Sequence, residues 1–556
     1  MFNIFKMKKK IIIFGGGISG LTCAHELMEK EFSVTLVEKD SLLGGMARSR
    51  HENNNIASEH SWRGYAPFYN NTFDIMKRIS LSSTNKTDKT VYDNLTKPIT
   101  FYITRDDIAE YTYTNTNNFN DKLWIAYYLF KYICSNNRRD EYYKIKIIDI
   151  LKNKISKDAY RFLIDFMCGP GYGMEKKDAS YAHYFKFISI FLLNQSVYKN
   201  KHYYNNVKYY SKANDKWHVM NQPTNEAWFD HWEKFLKDKG VTFLMSSELT
   251  KINIVNNKII NCVINNNIIL QADEYILCIN PFNAEQLFKT SNVNNLYNQH
   301  YLLNKNTDSR QVAFRFGFNK KINFPSHSAF IFPDSDFNIT LYPQDFSWNQ
   351  DVKLDNNNTI KSLWSGTVLE LYRTSTLYNK PGLYLTKDEL INEIIYQVLR
   401  SKSFQKIIFD NNNFYLDKSN IFYNEIWYEW NINPITKQLE SSNKKWVTNI
   451  FNEEFRPLQK NNISNLYIGG AHTKTSISVW SMEGAVESGK IISNLILDKY
   501  NLPKTYLHIH NDPSYLNIFK FIDDILYKLN LPNIIDVILF ILFLLLIYYF
   551  NKIIKI

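Results

Sequence analysis

The sequence predicts an α/β protein: a parallel sheet assembled from segments far apart in the chain, an inserted α+β domain, and a C-terminal transmembrane helix. Three observations carry that expectation. A glycine-rich strand, turn and helix begins at Ile11; a second strand, loop and helix occupies 464–497, more than 400 residues later; and 14 consecutive apolar residues run from Val537 to Phe550.

The first element is the apolar run Ile11-Ile12-Ile13-Phe14, followed by Gly15-Gly16-Gly17-Ile18-Ser19-Gly20 and the helical stretch from Leu21. Its glycines follow the spacing of a dinucleotide-binding turn. Gly15 permits the sharp turn, Gly17 lets backbone approach a pyrophosphate, and Gly20 lets the helix pack on the strand. The N–H groups of the helix start, at Ile18 and Ser19, face the phosphates. The spacing alone also fits a glycine-rich turn in an unrelated loop, and the strand-to-helix context argues against that. A second strand, Val34–Val37, ends at Glu38 and Lys39, where a carboxylate can accept hydrogen bonds from ribose hydroxyls. An acid here argues against a 2′-phosphate.

The next segment reads Leu43-Gly44-Gly45-Met46-Ala47-Arg48. With it the chain resembles the FAD-dependent amine oxidase and phytoene desaturase superfamily, in which a glycine pair and a nearby arginine contact the phosphates and ribityl chain. The matching positions are Gly44, Gly45, Met46 and Arg48, the arginine displaced from its usual place directly after the glycines. The resemblance implies a Rossmann-like FAD-binding domain in two parts, as in glutathione reductase, with FAD held non-covalently: no tethering cysteine is evident near Ala471–Met482.

The second half, Leu466-Tyr467-Ile468-Gly469-Gly470-Ala471-His472, leads to Ser481-Met482-Glu483-Gly484-Ala485. Ser481 is a suitable N-cap, Glu483 suits a first turn, and Gly484, Ala485, Ser488 and Gly489 permit close packing. This segment resembles the superfamily's C-terminal signature, where the helix start faces the flavin. The resemblance makes Gly470, Met482 and Glu483 cofactor-binding positions, with the Met482 and Glu483 N–H groups as donors to the reduced ring. The family often places an acid after the small pair; here Ala471 and His472 stand instead.

Between the halves, short apolar stretches separated by asparagine turns over 241–277 predict a β-meander. The resemblance places backbone near Leu249 against the adenine. The expected domains are a FAD-binding domain in three parts (7–100, 215–285, 450–500), a substrate domain in two (101–214, 286–449), a linker or amphipathic segment at 501–532, and an anchor with its tail at 533–556. Aromatic stretches such as Trp124–Phe130 are expected as pocket walls or core, and Gly169-Pro170-Gly171-Tyr172-Gly173 as a turn.

Lys and Arg exceed Asp and Glu by 12. No zinc-spaced cysteines and no nucleic-acid motif accompany the excess, so a diffuse basic surface is expected, without nucleic acid and without metal. The five cysteines are scattered and odd in number, as for free thiols in a reducing compartment. Seventeen helical residues at ~1.5 Å each reach about 26 Å, enough for a thin bilayer. The expected topology is a single-pass C-terminal anchor with the catalytic body in the cytosol.

There is no second GxGxxG in a strand–helix context, which disfavours direct NAD(P)H-driven monooxygenation. The expected function is an FAD-dependent oxidoreductase, a dehydrogenase, desaturase or oxidase, taking a hydride from a lipophilic substrate such as an isoprenoid, with O₂ or a quinone as acceptor. Ala57–Tyr65, with Glu59 and His60, resembles the stretch near the flavin's active face in carotenoid desaturase and hydroxysqualene dehydroxylase-like relatives. Glu59 and His60 are read equally as an acid–base pair and as a hydrogen-bonded structural pair, so no catalytic residue is assigned. Amine oxidation and a non-catalytic flavin-fold scaffold remain open.

Overall fold

In the computed structural model, residues 8–554 are described except 31, 62, 82–88, 97–98, 111, 114–117, 194–202, 205–206, 209–216 and 308. Met7 and Trp62, within segments singled out above, lie outside the described residues.

The apolar run forms β1 (Lys9–Phe14), followed by helix α1 (Ile18–Met28) and β2 (Phe32–Val37). Three more strands complete a five-stranded sheet: β3 (Thr242–Leu244), β4 (Glu274–Leu277) and β5 (Leu466–Ile468), in the spatial order β5-β4-β1-β2-β3 with every pair parallel. Residues of β1 alternate between two cores, as strands buried on both faces require. Ile11 and Ile13 pack with α1 and with a helix further on, α5 (Met482–Lys499); Ile12 and Phe14 pack with the opposite layer. That layer is the meander, an antiparallel sheet of Leu249–Val255, Lys258–Ile264 and Ile268–Leu270, with the helices of 281–304.

A separate seven-stranded sheet runs in the order 421–426, 312–318, 362–368, 339–343, 328–332, 100–103, 112–113, with a core of its own backed by the helices of 387–412. Helices α2 (Asn70–Lys77), α3 (Phe119–Ile133) and α4 (Tyr181–Leu193) lie in the intervening region. Helix α3 does not wall the main cavity; Tyr128 and Leu129 join the core as expected, while Leu123, Trp124 and Phe130 are exposed. Beyond α5 come α6 (Asn517–Lys528) and α7 (Ile534–Ile554). Helix α7 has a mean hydropathy of 2.5 and is almost wholly exposed, so it is long and apolar enough to cross a membrane.

One buried charge cluster joins α1 and α2, near the start of the chain, to α5 near its end. Lys490 Nζ on α5 lies 2.6 Å from Asp74 on α2 and 2.9 Å from Glu26 on α1, and Arg78 pairs with the same two acids. Burial alone would raise the Glu26 pKa, but Lys490 and Arg78 outweigh it and hold the carboxyl below its usual range.

Candidate cofactor site

The glycine turn, the Gly44–Gly45 turn and the start of α5 converge on a cavity of about 800 Å³ at the C-terminal edge of the parallel sheet. Gly44 N–H donates to Gly16 O at 2.9 Å, joining the two turns. At Gly15, φ is +103°, and a Cβ would lie 2.3 Å from Cys278 O; at Gly20 a Cβ would lie 1.9 Å from Gly15 O. These two positions tolerate only glycine, one through its backbone angle and both through space. Gly17 is different, because a Cβ there meets nothing nearer than Gly45 Cα at 3.8 Å. The space beside Gly17 is a cradle lined by backbone, of the shape a pyrophosphate needs.

Glu38, at the end of β2, is buried on the cavity wall. Its carboxylate accepts from the N–H groups of Gly16 and Asp40, and burial pushes its pKa upward against those two donors. Lys39 and Leu249 line the same end. Ser247 N–H donates to Glu38 O at 2.8 Å, so the meander is pinned beside the acid.

Arg48 also lines the cavity, but its guanidinium is already engaged, 2.8 Å from Asp40, 3.4 Å from Glu429 and 3.0 Å from Tyr428 OH. At the other end, Ser481 caps α5 by accepting from Gly484 N–H at 3.1 Å, and Met482 reaches the wall. The helix sits close to α1: a Cβ at Gly489 would be 2.7 Å from Ser19 O. Arg456, fully buried, donates to the carbonyls of His472, Thr473 and Ser478 and so fixes the loop between β5 and α5.

Of the positions expected from the sequence, Gly15, Gly17, Ile18, Ser19, Glu38, Lys39, Gly44, Gly45, Met46, Arg48, Leu249, Gly470 and Met482 line this one cavity. Gly20 lies behind it as a packing position, and the Glu483 side chain points elsewhere. The Glu483 carboxylate accepts from the N–H and side-chain groups of both Asn71 and Thr72 at 2.7–2.9 Å, capping the start of α2. Four donors on one fully buried carboxylate make Glu483→Leu costly, with an expected loss of at least about 3 kcal/mol in denaturant unfolding.

Sequence reasoning passed over several walls of the cavity. The 169–173 segment is no simple turn: Arg161–Gly171 is a π-helix ending at the site, and Pro170 to Gly173 face the cavity. A Cβ at Gly173 would lie 3.4 Å from Lys445 Nζ and 3.9 Å from Trp480 O, so these three residues share a corner. Lys445 is buried, donates to Gln311, and has its pKa pulled down by burial to about 8. No local pattern marks this lysine. His472, standing where the family often has an acid, is buried and held neutral by burial and by His300 and Arg456, and its Nε2 has no hydrogen-bond partner among the described residues. The Glu59–His60 pair separates. Glu59 is tied to Arg63 at 3.0 Å and to Thr224 at 2.7 Å, whereas His60 faces the cavity with a pKa lowered by burial to about 3.

The sequence from 13 to 79 matches the family model of the NAD(P)-binding Rossmann-like domain, and 433–497 matches that of flavin containing amine oxidoreductase. The two matched segments flank the same cavity. In these two segments the chain is similar to the FAD-dependent amine oxidase superfamily. No curated protein matches the sequence. Solved structures share the fold: putrescine oxidase bound to putrescine (9% identity, 88% of this chain and 99% of that one, TM-score 0.58), cyclohexylamine oxidase from Brevibacterium oxydans (12%, 89% and 100%, 0.56), and a fatty acid isomerase from P. acnes (12%, 89% and 99%, 0.52). The matched flavin amine oxidoreductase segment and the shared fold make the protein an FAD-dependent oxidoreductase. The backbone cradle at Gly17, the acceptor at Glu38 and the capped start of α5 fit that cofactor.

Proposed function

We propose that this flavoenzyme oxidises a neutral, lipophilic substrate, isoprenoid-like rather than an ammonium, from a body held at a membrane by α7. The observation that carries the reading is the distribution of charge around the cavity. Among the described lining residues, Glu38, Asp40 and Glu248 stand at the nucleotide end, and Glu429 is paired with Arg48. The corner near α5 has Tyr69, Tyr172, Trp217 and Trp480 with a cation, Lys445, and no carboxylate to hold an ammonium group. Aromatic walls and a buried amine favour an uncharged hydrocarbon. The fatty acid isomerase among the structural neighbours is a relative in fold whose substrate class is lipid.

In this reading the site residues expected from the sequence hold FAD non-covalently. Gly15, Gly17, Gly44 and Gly45 give backbone approach, Ile18 and Ser19 offer N–H groups to the phosphates, Glu38 accepts from the ribose, and Leu249 backs the adenine. Arg48 steadies the ribityl side through its fixed guanidinium. Bound FAD supplies the acceptor for a hydride. The aromatic corner orients the substrate and excludes water, Lys445 Nζ takes up the proton the substrate releases, and the N-terminal N–H groups of α5 stabilise negative charge. O₂ or a quinone would serve as the final electron acceptor.

The rate of flavin reduction is expected to rise with pH through about 8, as Lys445 loses its proton, and the rise should vanish in Lys445→Met. Stopped-flow reduction across pH 6–10 measures this, and an unchanged profile in the variant removes Lys445 from the step. Anaerobic incubation with polyenes and with an amine panel tests the substrate class. Reduction by polyenes alone supports the proposal, aldehyde and peroxide from amines replace it with amine oxidation, and a flavin that no substrate extract reduces favours a scaffold.

The anchor is tested by deleting residues 539–556. The cut spares Asn533 and Asp536, which bond to Lys131 of α3, and Ile534, which bonds to Asp523 of α6. The truncated protein is expected to leave carbonate-washed membranes; a folded truncation that still pellets counts against α7 as the anchor.

A further inference from the structure

Helix α6 is amphipathic the wrong way round for a soluble protein. Ile518, Phe521, Ile522, Ile525 and Leu529 recur at the spacing of one helical face, and that face is exposed: Ile518 is 63%, Phe521 65% and Leu529 62% accessible. The charged side is what the fold buries. Lys520 reaches Asp512 at 2.7 Å, and Asp523 accepts from Ser135 Oγ at 2.7 Å, from Arg138 at 3.2 Å and from Ile534 N–H at 2.9 Å. These contacts fix the rotation of the helix, so its apolar stripe cannot turn inward without stranding a buried lysine and a buried aspartate.

The stripe is continuous with two other apolar surfaces. Asp523 of α6 bonds to the first residue of α7, and Asp536 of α7 binds Lys131 at 2.8 Å and Tyr127 at 2.6 Å on α3. Helix α3 in turn exposes Phe119, Leu123, Trp124 and Phe130. Helices α3 and α6 and the turn before α6 also expose residues of the kinds that suit a headgroup layer, Trp124, Lys122, Lys528 and Tyr515. An exposed apolar face of this extent marks a partner, and here it runs directly into the one helix among the described residues that is long and apolar enough to span a bilayer.

We propose that α6 and the outer side of α3 form a second membrane contact, lying in the interfacial plane with the apolar stripe sunk among acyl chains. The partner is the bilayer itself. The α7 helix then tethers the body, and the α3–α6 face sets its orientation, which α7 alone cannot do. The inference builds on the reading of α7 as an anchor but makes a separate claim about separate residues.

The test uses the full chain, reconstituted into vesicles of three parts phosphatidylcholine to one part phosphatidylglycerol. A nitroxide is attached through Ile518→Cys, Phe521→Cys, Ile522→Cys or Leu123→Cys, with Phe543→Cys reporting on α7 and Lys234→Cys as an aqueous reference. Four of the five native cysteines are buried, and the labelled wild-type chain supplies the background. Accessibility to oxygen, which concentrates in lipid, is compared with accessibility to a water-soluble nickel chelate. The expected result is an inverted ratio at 518, 521, 522 and 123 relative to 234. Nickel access at those four sites while 543 is lipid-exposed overturns the second contact and leaves the anchor. Lipid exposure at the four with 543 aqueous supports the contact and overturns the anchor. Labels shielded from both reagents mean that protein covers the face, which overturns the proposal.

Discussion

Replacing Gly17 by valine is expected to yield a folded protein that has lost its flavin. The added Cβ projects toward space whose nearest protein atom is Gly45 Cα at 3.8 Å, so the Cβ itself displaces nothing, yet the side chain fills the cradle where a pyrophosphate must lie. Affinity for FAD should fall on the order of 100-fold or more, about 2.7 kcal/mol, with the far-ultraviolet circular dichroism of the native chain retained. Gly20→Ala is the instructive contrast. Its Cβ would come within 1.9 Å of Gly15 O, so α1 must move off the sheet and stability should fall together with FAD. Visible absorbance after purification and cofactor release on denaturation read both outcomes. Full retention of FAD by Gly17→Val would place the cofactor elsewhere.

The second large effect is expected at Lys490. This ammonium is fully buried between Glu26 and Asp74, and Lys490→Met leaves two buried carboxylates with Arg78 as their remaining ion-pair partner among the described contacts. Removing one partner from such a cluster costs about 3–5 kcal/mol, readable as a lower denaturant midpoint with an unchanged slope. The sign of the pH effect follows from Glu26, whose folded-state pKa lies below its unfolded value. Its stabilising contribution is present above the unfolded carboxylate range and is lost as pH falls through the folded value. The wild type should therefore lose stability on the acid side more steeply than Lys490→Met, and parallel acid profiles would show that the cluster contributes nothing through Glu26.

What could be read from the sequence was what the backbone dictates locally. Glycines at 15, 17 and 20 answer to close approach within a few residues, the β1 run and the start of β2 declare strands by composition, and Ser481 caps a helix that begins one residue later. The Asn-punctuated stretch read as a meander over 241–277 is one only from 249 to 270; its end strands, 242–244 and 274–277, pair in parallel with β2 and β1, a partnership the local pattern does not carry. Side chains whose partners lie hundreds of residues away could not be read. Glu483 suited a first helical turn, but its carboxylate serves Asn71 and Thr72, more than 400 positions distant. Lys445 and the 170–173 wall enter the cavity through the packing of the inserted region, and neither has a local pattern. Trp124 looked like pocket or core because composition reports hydrophobicity without direction; its helix buries Tyr128, Leu129, Tyr132 and Ile133 instead, a choice made by distant packing partners.

The parallel sheet closes with β5, so its strand order is also an order in time. During synthesis β1, α1 and β2 leave the ribosome early, while β4 follows at 274 and β5 only at 466. At ~5–20 residues per second, roughly 25–90 s separate the first strand from the last. For that interval the nascent sheet has an unpaired edge, and α1 lacks the helix whose Lys490 neutralises Glu26. Helix α7 begins about 65 residues after β5, so completion of the nucleotide fold and delivery of the apolar segment fall within seconds of each other. Under the proposed anchoring by α7, translation speed over 466–534 thus becomes a variable in whether the body is finished before that helix is delivered.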